Sequence, residues 1–292
     1  MTNNKKCKAC SSLLTLKDAL NGALNRFPFL SETDIKIILT NFNNIPYNQL
    51  ALHYQDNAKN IDSFFALCER VNDGYPLQYA LNSSEFCGLD LYVDQRVLIP
   101  RSETEELVLI IKDIIEQENL DDPIVADICT GSGAIALAIK KQIQKAKVFA
   151  SELSLQALEV AAINRDKLDL DINLLAGESL SPLIEKGIKV DYLVANPPYI
   201  NQSDEVERKV KDYEPHLALY SDDKKVYYDI FKNVDQVVRN GKIVILLEIN
   251  ELEKEKMLEI ALDTLGPKID AKIIKDIHQK DRFILVRYEN EN

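Results

Sequence analysis

The sequence predicts an α/β protein: a doubly wound, mostly parallel sheet with an antiparallel edge, preceded by a small helical bundle and a β-hairpin linker. Three observations predict it. Residues 1–75 carry apolar side chains at three- and four-residue spacing, the stripe of amphipathic helices. From residue 103 onward, short apolar runs alternate with helical stretches, as in a parallel sheet built from crossover units. The last two runs, 271–277 and 283–288, are joined by only five residues. A parallel crossover needs about a dozen, so these two pair antiparallel.

The elements follow in order. Leu13, Leu16, Ala19, Leu20, Ala23 and Leu24 line one helix face. Ser31, three residues before Asp34, starts a second helix ahead of Ile35, Ile37, Ile38 and Leu39. A third includes Ile61, Phe64, Phe65, Leu67, Cys68 and Val71, and is broken by Asn72, Asp73, Gly74 and Pro76. No catalytic constellation lies among these helices. Residues 76–102 hold Phe86, Leu89, Leu91, Val93, Val97, Leu98 and Ile99 around Gly88, which reads as a hairpin linker. A helix over 103–118 buries Leu107, Ile110, Ile111, Ile114 and Ile115. Strands are then expected at 124–129, 147–153, 190–195 and 242–249, with helices at 134–144, 154–166 and 226–239.

Charge and composition exclude several functions. The 292 residues carry 47 acidic and 35 basic side chains, a net charge of −12. Such a body has no general attraction for a phosphate backbone, which needs clustered Lys and Arg. No apolar run approaches the roughly 18 residues of a membrane-spanning helix. The first twelve residues lack the apolar core of a signal peptide. Cys7, Cys10, Cys68, Cys87 and Cys129 are an odd, scattered set, expected as reduced thiols of a cytoplasmic protein. Cys7 and Cys10 form a CxxC without the further ligands of a zinc site, so the pair reads as part of a solvated tail. No metal is expected.

Two motifs carry chemistry. The first is DICTGSGA at 127–134, where the first sheet strand turns into a helix. Gly131 and Gly133 permit a tight turn and close approach of backbone to a ligand at a helix N-terminus. Glu152 closes the second strand, roughly 20 residues beyond, where an acidic side chain takes the hydroxyls of a ribose. Asp127, at the carboxyl end of its strand, either meets the ligand or caps the loop. With Ala136 the loop also spells the dinucleotide pattern GxGxxA, so a nicotinamide cofactor stays open at this point.

The second motif is NPPY, Asn196, Pro197, Pro198 and Tyr199, directly after the strand at 190–195. Orienting a planar NH₂ group as a nucleophile takes one acceptor per hydrogen. The Asn196 side-chain oxygen supplies one. The Pro197 carbonyl, held between two rigid φ angles, supplies the other. The Tyr199 ring packs on the flat face of the amide or base. This is catalysis by orientation.

The strand with its glycine loop, the acidic residue and NPPY together resemble the S-adenosylmethionine-dependent methyltransferases that act on a planar nitrogen. PLQY at 76–79, FCG at 86–88, YVD at 92–94, RVLIPR at 96–101 and TE at 104–105 are similar to the linker of the glutamine N5-methyltransferases. EP at 214–215, AL at 218–219, LEI at 247–249, Asp276 and KDR at 280–282 match further family elements. The resemblance spans about residues 60–290. Within the group, the members acting on peptide chain release factors match best. Those acting on a large-subunit ribosomal protein are the alternative, and adenine N6-methyltransferases a more distant one. Cys129 where the family loop commonly has Gly, Ser102 where many members have Pro, and Glu152 for the commoner Asp are departures.

The resemblance implies a Rossmann-like class I methyltransferase domain at 103–292, a linker at 76–102 and a substrate-recognising helical domain at 1–75. It implies S-adenosylmethionine as methyl donor and S-adenosylhomocysteine as product. The expected cofactor residues are Asp127, Cys129, Thr130, Gly131, Ser132, Gly133, Glu152, Glu178, Ser179 and Asn196. Asn196, Pro197 and Tyr199 are the expected catalytic residues, with Pro198 completing the substrate site. The implied partner is a class 1 release factor, methylated on the glutamine of its GGQ loop. Membranes and nucleic acid are not expected as partners, and a monomer is. Arg101, Glu103 and Glu105 are read either as helix-start charges or as shaping the entrance, and His216 as a surface residue.

Overall fold

The computed structural model describes residues 14–199, 208–220, 224–267 and 269–290. Leu13 and the Cys7/Cys10 pair lie outside them. The chain divides into two compact units, Met1–Leu81 and Asn82–Asn292.

The first unit is helical. Thr15 caps α1 (Leu16–Arg26) through a capping box: its hydroxyl accepts from Asp18 N–H while the Asp18 carboxylate takes the Thr15 N–H. Ser31 caps α2 (Glu32–Asn43) by accepting from Asp34 N–H. A 3₁₀ turn at Tyr47–His53 follows, then α3 (Ile61–Asn72) and the short α4 (Leu77–Leu81). Leu16, Ala19, Leu20, Ile35, Ile38, Leu39, Phe64 and Cys68 bury together as the core of this unit. Helix α4 stands where the linker was expected to begin. Leu77, Gln78 and Ala80 are good helix formers, and the Pro76 carbonyl accepts the Ala80 N–H to close the turn.

The second unit opens with a hairpin, β1 (Ser84–Phe86) and β2 (Leu89–Leu91). Cys87 at φ +49° and Gly88 at φ +72° make its two-residue turn, the primed type that suits strand twist. Residues 97–99 form no strand, because Asp94 folds the chain back by accepting from Arg96 N–H and the Arg96 guanidinium. After α5 (Ser102–Glu118) the sheet begins. In chain order it runs β3 (Ile124–Ile128), α6 (Ala134–Gln142), β4 (Lys147–Glu152), α7 (Leu155–Leu168), β5 (Ile172–Ala176), α8 (Ser181–Glu185), β6 (Tyr192–Ala195), α9 (Arg208–Tyr213), α10 (His216–Leu219), α11 (Lys225–Asn233), β7 (Lys242–Glu248), α12 (Lys254–Leu265), β8 (Asp270–Lys275) and β9 (Asp281–Glu289).

The strand order is β5-β4-β3-β6-β7-β9-β8. The first five are parallel; β9 is antiparallel to both β7 and β8. Besides short helices such as α4, α8, α9 and α10, two elements were not expected. Strand β5 is a half-exposed edge without clear alternation, and α12 is masked by its charges, though Met257, Ile260 and Ala261 bury one face. The helix expected to reach 239 ends at Asn233 and continues as a 3₁₀ turn. Two apolar clusters cover the two sheet faces. Leu107, Ile111, Ile115 and Leu137 belong to one; Tyr227, Phe231, Met257 and Ile260 belong to the other.

This topology sets the site. Strands β4 and β6 flank β3, so the chain leaves β3 toward one side and returns from β6 toward the other. That is the switch point of an open α/β sheet, where ligands bind at the carboxyl ends. In the β3–β6 ladder Ile128 lies opposite Ala195, which places the glycine loop beside NPPY.

One buried polar side chain holds the loop to the segment after the hairpin. Asn164, fully buried in the middle of α7, accepts the Tyr92 N–H at 2.6 Å. It donates to the Tyr92 and Ser132 carbonyls, each at 2.9 Å. Asn164→Ala removes all three bonds. It is expected to cost on the order of 2–4 kcal/mol, seen as a fall in Tm. A Tm within about a degree of wild type contradicts this.

Candidate active site

The glycine loop is bent by three left-handed residues, Cys129 at φ +60°, Gly131 at φ +55° and Gly133 at φ +83°. A Cβ on Gly133 would lie 3.2 Å from Leu137 and 3.3 Å from the Ala161 Cβ, so its absence lets α7 pack closely. A Cβ on Gly131 would meet nothing within 4 Å. Cys129 holds the same backbone region with a side chain, which costs about 1 kcal/mol or more.

Asp127 is fully buried beneath the loop. Its carboxylate accepts from Thr130 Oγ1 at 2.5 Å and from Ala136 N–H at 3.1 Å, capping the start of α6. Burial pushes this carboxyl up to about 7, against the pull of those two hydrogen bonds and with a smaller push from Glu152. Glu152, at the end of β4, accepts from Gly131 N–H and from Ser154 N–H, each at 2.9 Å. It ties the two loops together and keeps roughly two of its four acceptor positions for other donors.

A cleft of about 240 Å³ opens above these loops. Of the expected cofactor and substrate residues, Cys129, Gly131, Glu152, Glu178, Ser179, Asn196 and Pro198 line it. Asp127, Thr130, Ser132, Gly133, Pro197 and Tyr199 do not. The first four of these shape the loop from below. Leu153, Ala157, Leu217 and Val226 supply apolar wall. Glu178 is ion-paired with Lys225 at 2.5 Å at the rim. The Ser179 hydroxyl is buried and has no partner among the described residues.

The NPPY segment is held from behind. Asn196 Nδ2 donates to Thr104 Oγ1 at 3.1 Å, and Thr104 Oγ1 donates to Glu248 at 2.7 Å. Glu248 is buried at the end of β7, near the Tyr199 side chain. The Tyr199 carbonyl accepts from Lys224 Nζ at 3.0 Å. Burial lifts the Tyr199 hydroxyl to about 12, helped by the Glu248 charge, so it stays protonated. Burial likewise pushes the Cys129 thiol far up, with the charges of Glu152, Asp127 and Glu178 adding to it. Cys129 is therefore no nucleophile.

With this geometry in view, the comparisons with known proteins decide the family. The Methyltransferase small domain family matches residues 109–213. A release factor glutamine methyltransferase of Staphylococcus aureus is 36% identical over 233 residues, 78% of this chain and 81% of that protein. One from Mycoplasma mycoides is 30% identical over 256 residues, 85% of this chain and 90% of that protein. The chain belongs to the release factor glutamine methyltransferase family. It is a methyltransferase. The hMettl16 catalytic domain, solved in complex with a 3′UTR hairpin, shares the fold at a TM-score of 0.52 and 16% identity, over 70% of this chain and 77% of that one.

Several residues of this family member's site escape sequence reasoning. Thr104 and Glu248 meet across 144 positions. Glu248 had a signal, a carboxylate inside the apolar run at 242–249. Glu214, also buried, binds Arg101 Nη2 at 2.6 Å. The Arg101 side chain, which the sequence leaves as a helix-start charge or an entrance residue, thus anchors the segment whose Pro215, Leu217 and Ala218 wall the cleft.

Two expectations follow from the loop and its carboxylates. Cys129→Gly relieves the left-handed backbone and should leave stability within about 1 kcal/mol of wild type. Cys129→Val, β-branched at a positive φ, should cost about 2 kcal/mol; equal denaturant midpoints for the two variants contradict this. The second concerns pH. Asp127 and Glu248 both sit near 7 in the folded state, against usual values of 3.8 and 4.5. Between those limits the folded protein binds more protons than the unfolded chain, so stability falls as pH rises from about 4 to about 7 and levels above. Tm should be higher at pH 5.5 than at pH 8, and the slope should roughly halve in Asp127→Asn. A Tm that rises across this interval contradicts the assignment.

Proposed function

We propose that this chain transfers a methyl group from S-adenosylmethionine to the side-chain amide nitrogen of the glutamine in the GGQ motif of class 1 peptide chain release factors. S-adenosylhomocysteine is the other product. The observation that carries this reading is NPPY at the carboxyl end of β6, laddered beside a glycine loop and an acidic strand end.

The residues present fit the cofactor. Glu152 offers its remaining acceptor positions to the ribose hydroxyls. Gly131 leaves open space where a Cβ would otherwise project. Ser179 brings a buried hydroxyl with no partner among the described residues, and Leu153, Ala157, Leu217 and Val226 provide apolar surface for a base. Bound there, S-adenosylmethionine supplies an electrophilic sulfonium methyl. Asn196 Oδ1 accepts one hydrogen of the glutamine NH₂ and the Pro197 carbonyl accepts the second, aiming the nitrogen. Lys224 holds the Tyr199 backbone at its carbonyl, and the Tyr199 ring is the group that packs on the amide face. The proton released by the nitrogen passes to water.

The test incubates the protein with labelled S-adenosylmethionine and, separately, a release factor, a ribosomal protein and DNA. Label is expected on the release factor glutamine; label on DNA alone overturns the reading. Asn196→Ala should lower transfer by about 100-fold or more while cofactor affinity is spared. Glu152→Gln should weaken cofactor binding by about tenfold, measured by titration calorimetry.

A further inference from the structure

Asn196 is useful only in one orientation. Its amide has an acceptor end and a donor end of nearly equal size. If Nδ2 faced the glutamine NH₂, two donors would meet and the nitrogen would be turned away. Something must decide between the two.

Behind Asn196 stands a chain of hydrogen bonds with a fixed direction. Thr104, buried at the start of α5, lies 3.1 Å from Asn196 Nδ2 and 2.7 Å from Glu248 Oε2. A hydroxyl has one proton. Thr104 gives its proton to the Glu248 carboxylate, so toward Asn196 it can only accept. The Asn196 NH₂ must then face Thr104, and Oδ1 faces the other way. Glu248 is itself held in place: its backbone carbonyl accepts from Tyr227 Oη at 2.7 Å.

We propose that Glu248 and Thr104 are positioning residues for Asn196: the buried carboxylate, through the Thr104 hydroxyl, fixes which end of the Asn196 amide meets the substrate. This rests on the role given to Asn196 above. Neither residue touches substrate. A protonated Glu248 reverses the chain, since it then donates to Thr104, Thr104 donates to Asn196, and the NH₂ is left facing the substrate. The groups that face Glu248 are Arg282 on β9, Glu103 on α5, Tyr199 after β6 and Tyr227 on α11. Burial raises the carboxyl, the Thr104 bond and Arg282 lower it, Glu103 raises it and Tyr199 lowers it, leaving it near 7.

The experiment compares wild type, Thr104→Val, Thr104→Ser, Glu248→Gln and Asn196→Ala, each checked for a folded circular dichroism spectrum. Thr104→Val keeps the shape and removes the acceptor. It is expected to lower kcat about tenfold or more, the size of one net hydrogen bond, with KM for the methyl donor within about twofold. Thr104→Ser should restore most of kcat. Glu248→Gln should fall between them, since an amide can accept from Thr104 in one orientation and donates to it in the other. The pH profile is the second readout. In wild type kcat should drop below about pH 7, as Glu248 gains its proton. Thr104→Val, which has already lost the chain, should lack that limb. A third readout needs no turnover: the ¹⁵N side-chain NH₂ signal that vanishes in Asn196→Ala should exchange faster with solvent in Thr104→Val. Wild-type kcat in folded Thr104→Val, or the same acid limb in both proteins, overturns the inference while a silent Asn196→Ala leaves the role of Asn196 standing. An active Asn196→Ala removes that role and this inference together.

Discussion

The parallel pairing of β3 with β6 is the constraint on which the site depends. A parallel pair cannot be joined by a tight turn, so each strand is followed by a long connection that must leave the sheet on one face or the other. Here β3 is followed toward β4 and β6 toward β7, and the two exits diverge. The gap between them is the crevice of the switch point. The ladder also fixes register: with Ile128 opposite Ala195, the loop from Cys129 and the segment from Asn196 start at the same height. Neither motif needs to be placed by long-range side-chain contacts. The sheet's own hydrogen bonds bring them together.

What the sheet does not do is aim the side chains, and buried polar groups do that at some cost. Asp127 and Glu248 are both nearly free of solvent, and burial disfavours their charged forms. Each is offset by its surroundings: the donors Thr130 and Ala136 for Asp127, and the donor Thr104 with the charge of Arg282 for Glu248. Asp127 shapes the loop from beneath, while Glu248 stands behind Asn196 and Tyr199. Asn164 and Glu214 repeat the device, clamping the segment after the hairpin and the cleft wall to the frame. The pattern is of rigid neutral or partnered groups around an open cleft, which is what orientation of a weak nucleophile demands.

These clamps mark the boundary of what was legible in the sequence. Local motifs were readable because their chemistry is contained in a few adjacent residues: the positive-φ glycines, the acidic strand end and the rigid Pro-Pro after an apolar run. Thr104 and Glu248 stand in the sequence only as members of motifs, since nothing in either segment says that they meet. Glu152 was read as a ribose ligand, but its bonds to Gly131 and Ser154 depend on how two loops converge. Asp127 carried two readings, and its bonds to Thr130 and Ala136 place it under the loop and away from the cleft. Strand β5 lacks alternation because both its faces pack against apolar clusters, Ile172 and Leu174 on one and Leu175 on the other, and α12 hides its apolar face among lysines and glutamates. Residues 97–99 look like a strand by composition, yet a single Asp94 turn overrides that preference.

The protonation states around the cleft limit the chemistry that remains. Cys129 lines the cleft, but burial and, after it, the neighbouring carboxylates keep its thiol protonated. Tyr199 and Tyr227 are likewise held protonated by burial and by Glu248. Neither tyrosine hydroxyl can act as a strong base near neutral pH, and the thiol cannot attack. The remaining polar groups at NPPY, an amide and a carbonyl, do not titrate at all. They can accept hydrogen bonds and hold a planar group in place. Orientation of this kind is worth about 7–11 kcal/mol when the reacting atoms are already close. That suffices for a direct displacement at an activated methyl, where the electrophile brings its own reactivity. It would not suffice for chemistry that had to generate a nucleophile first.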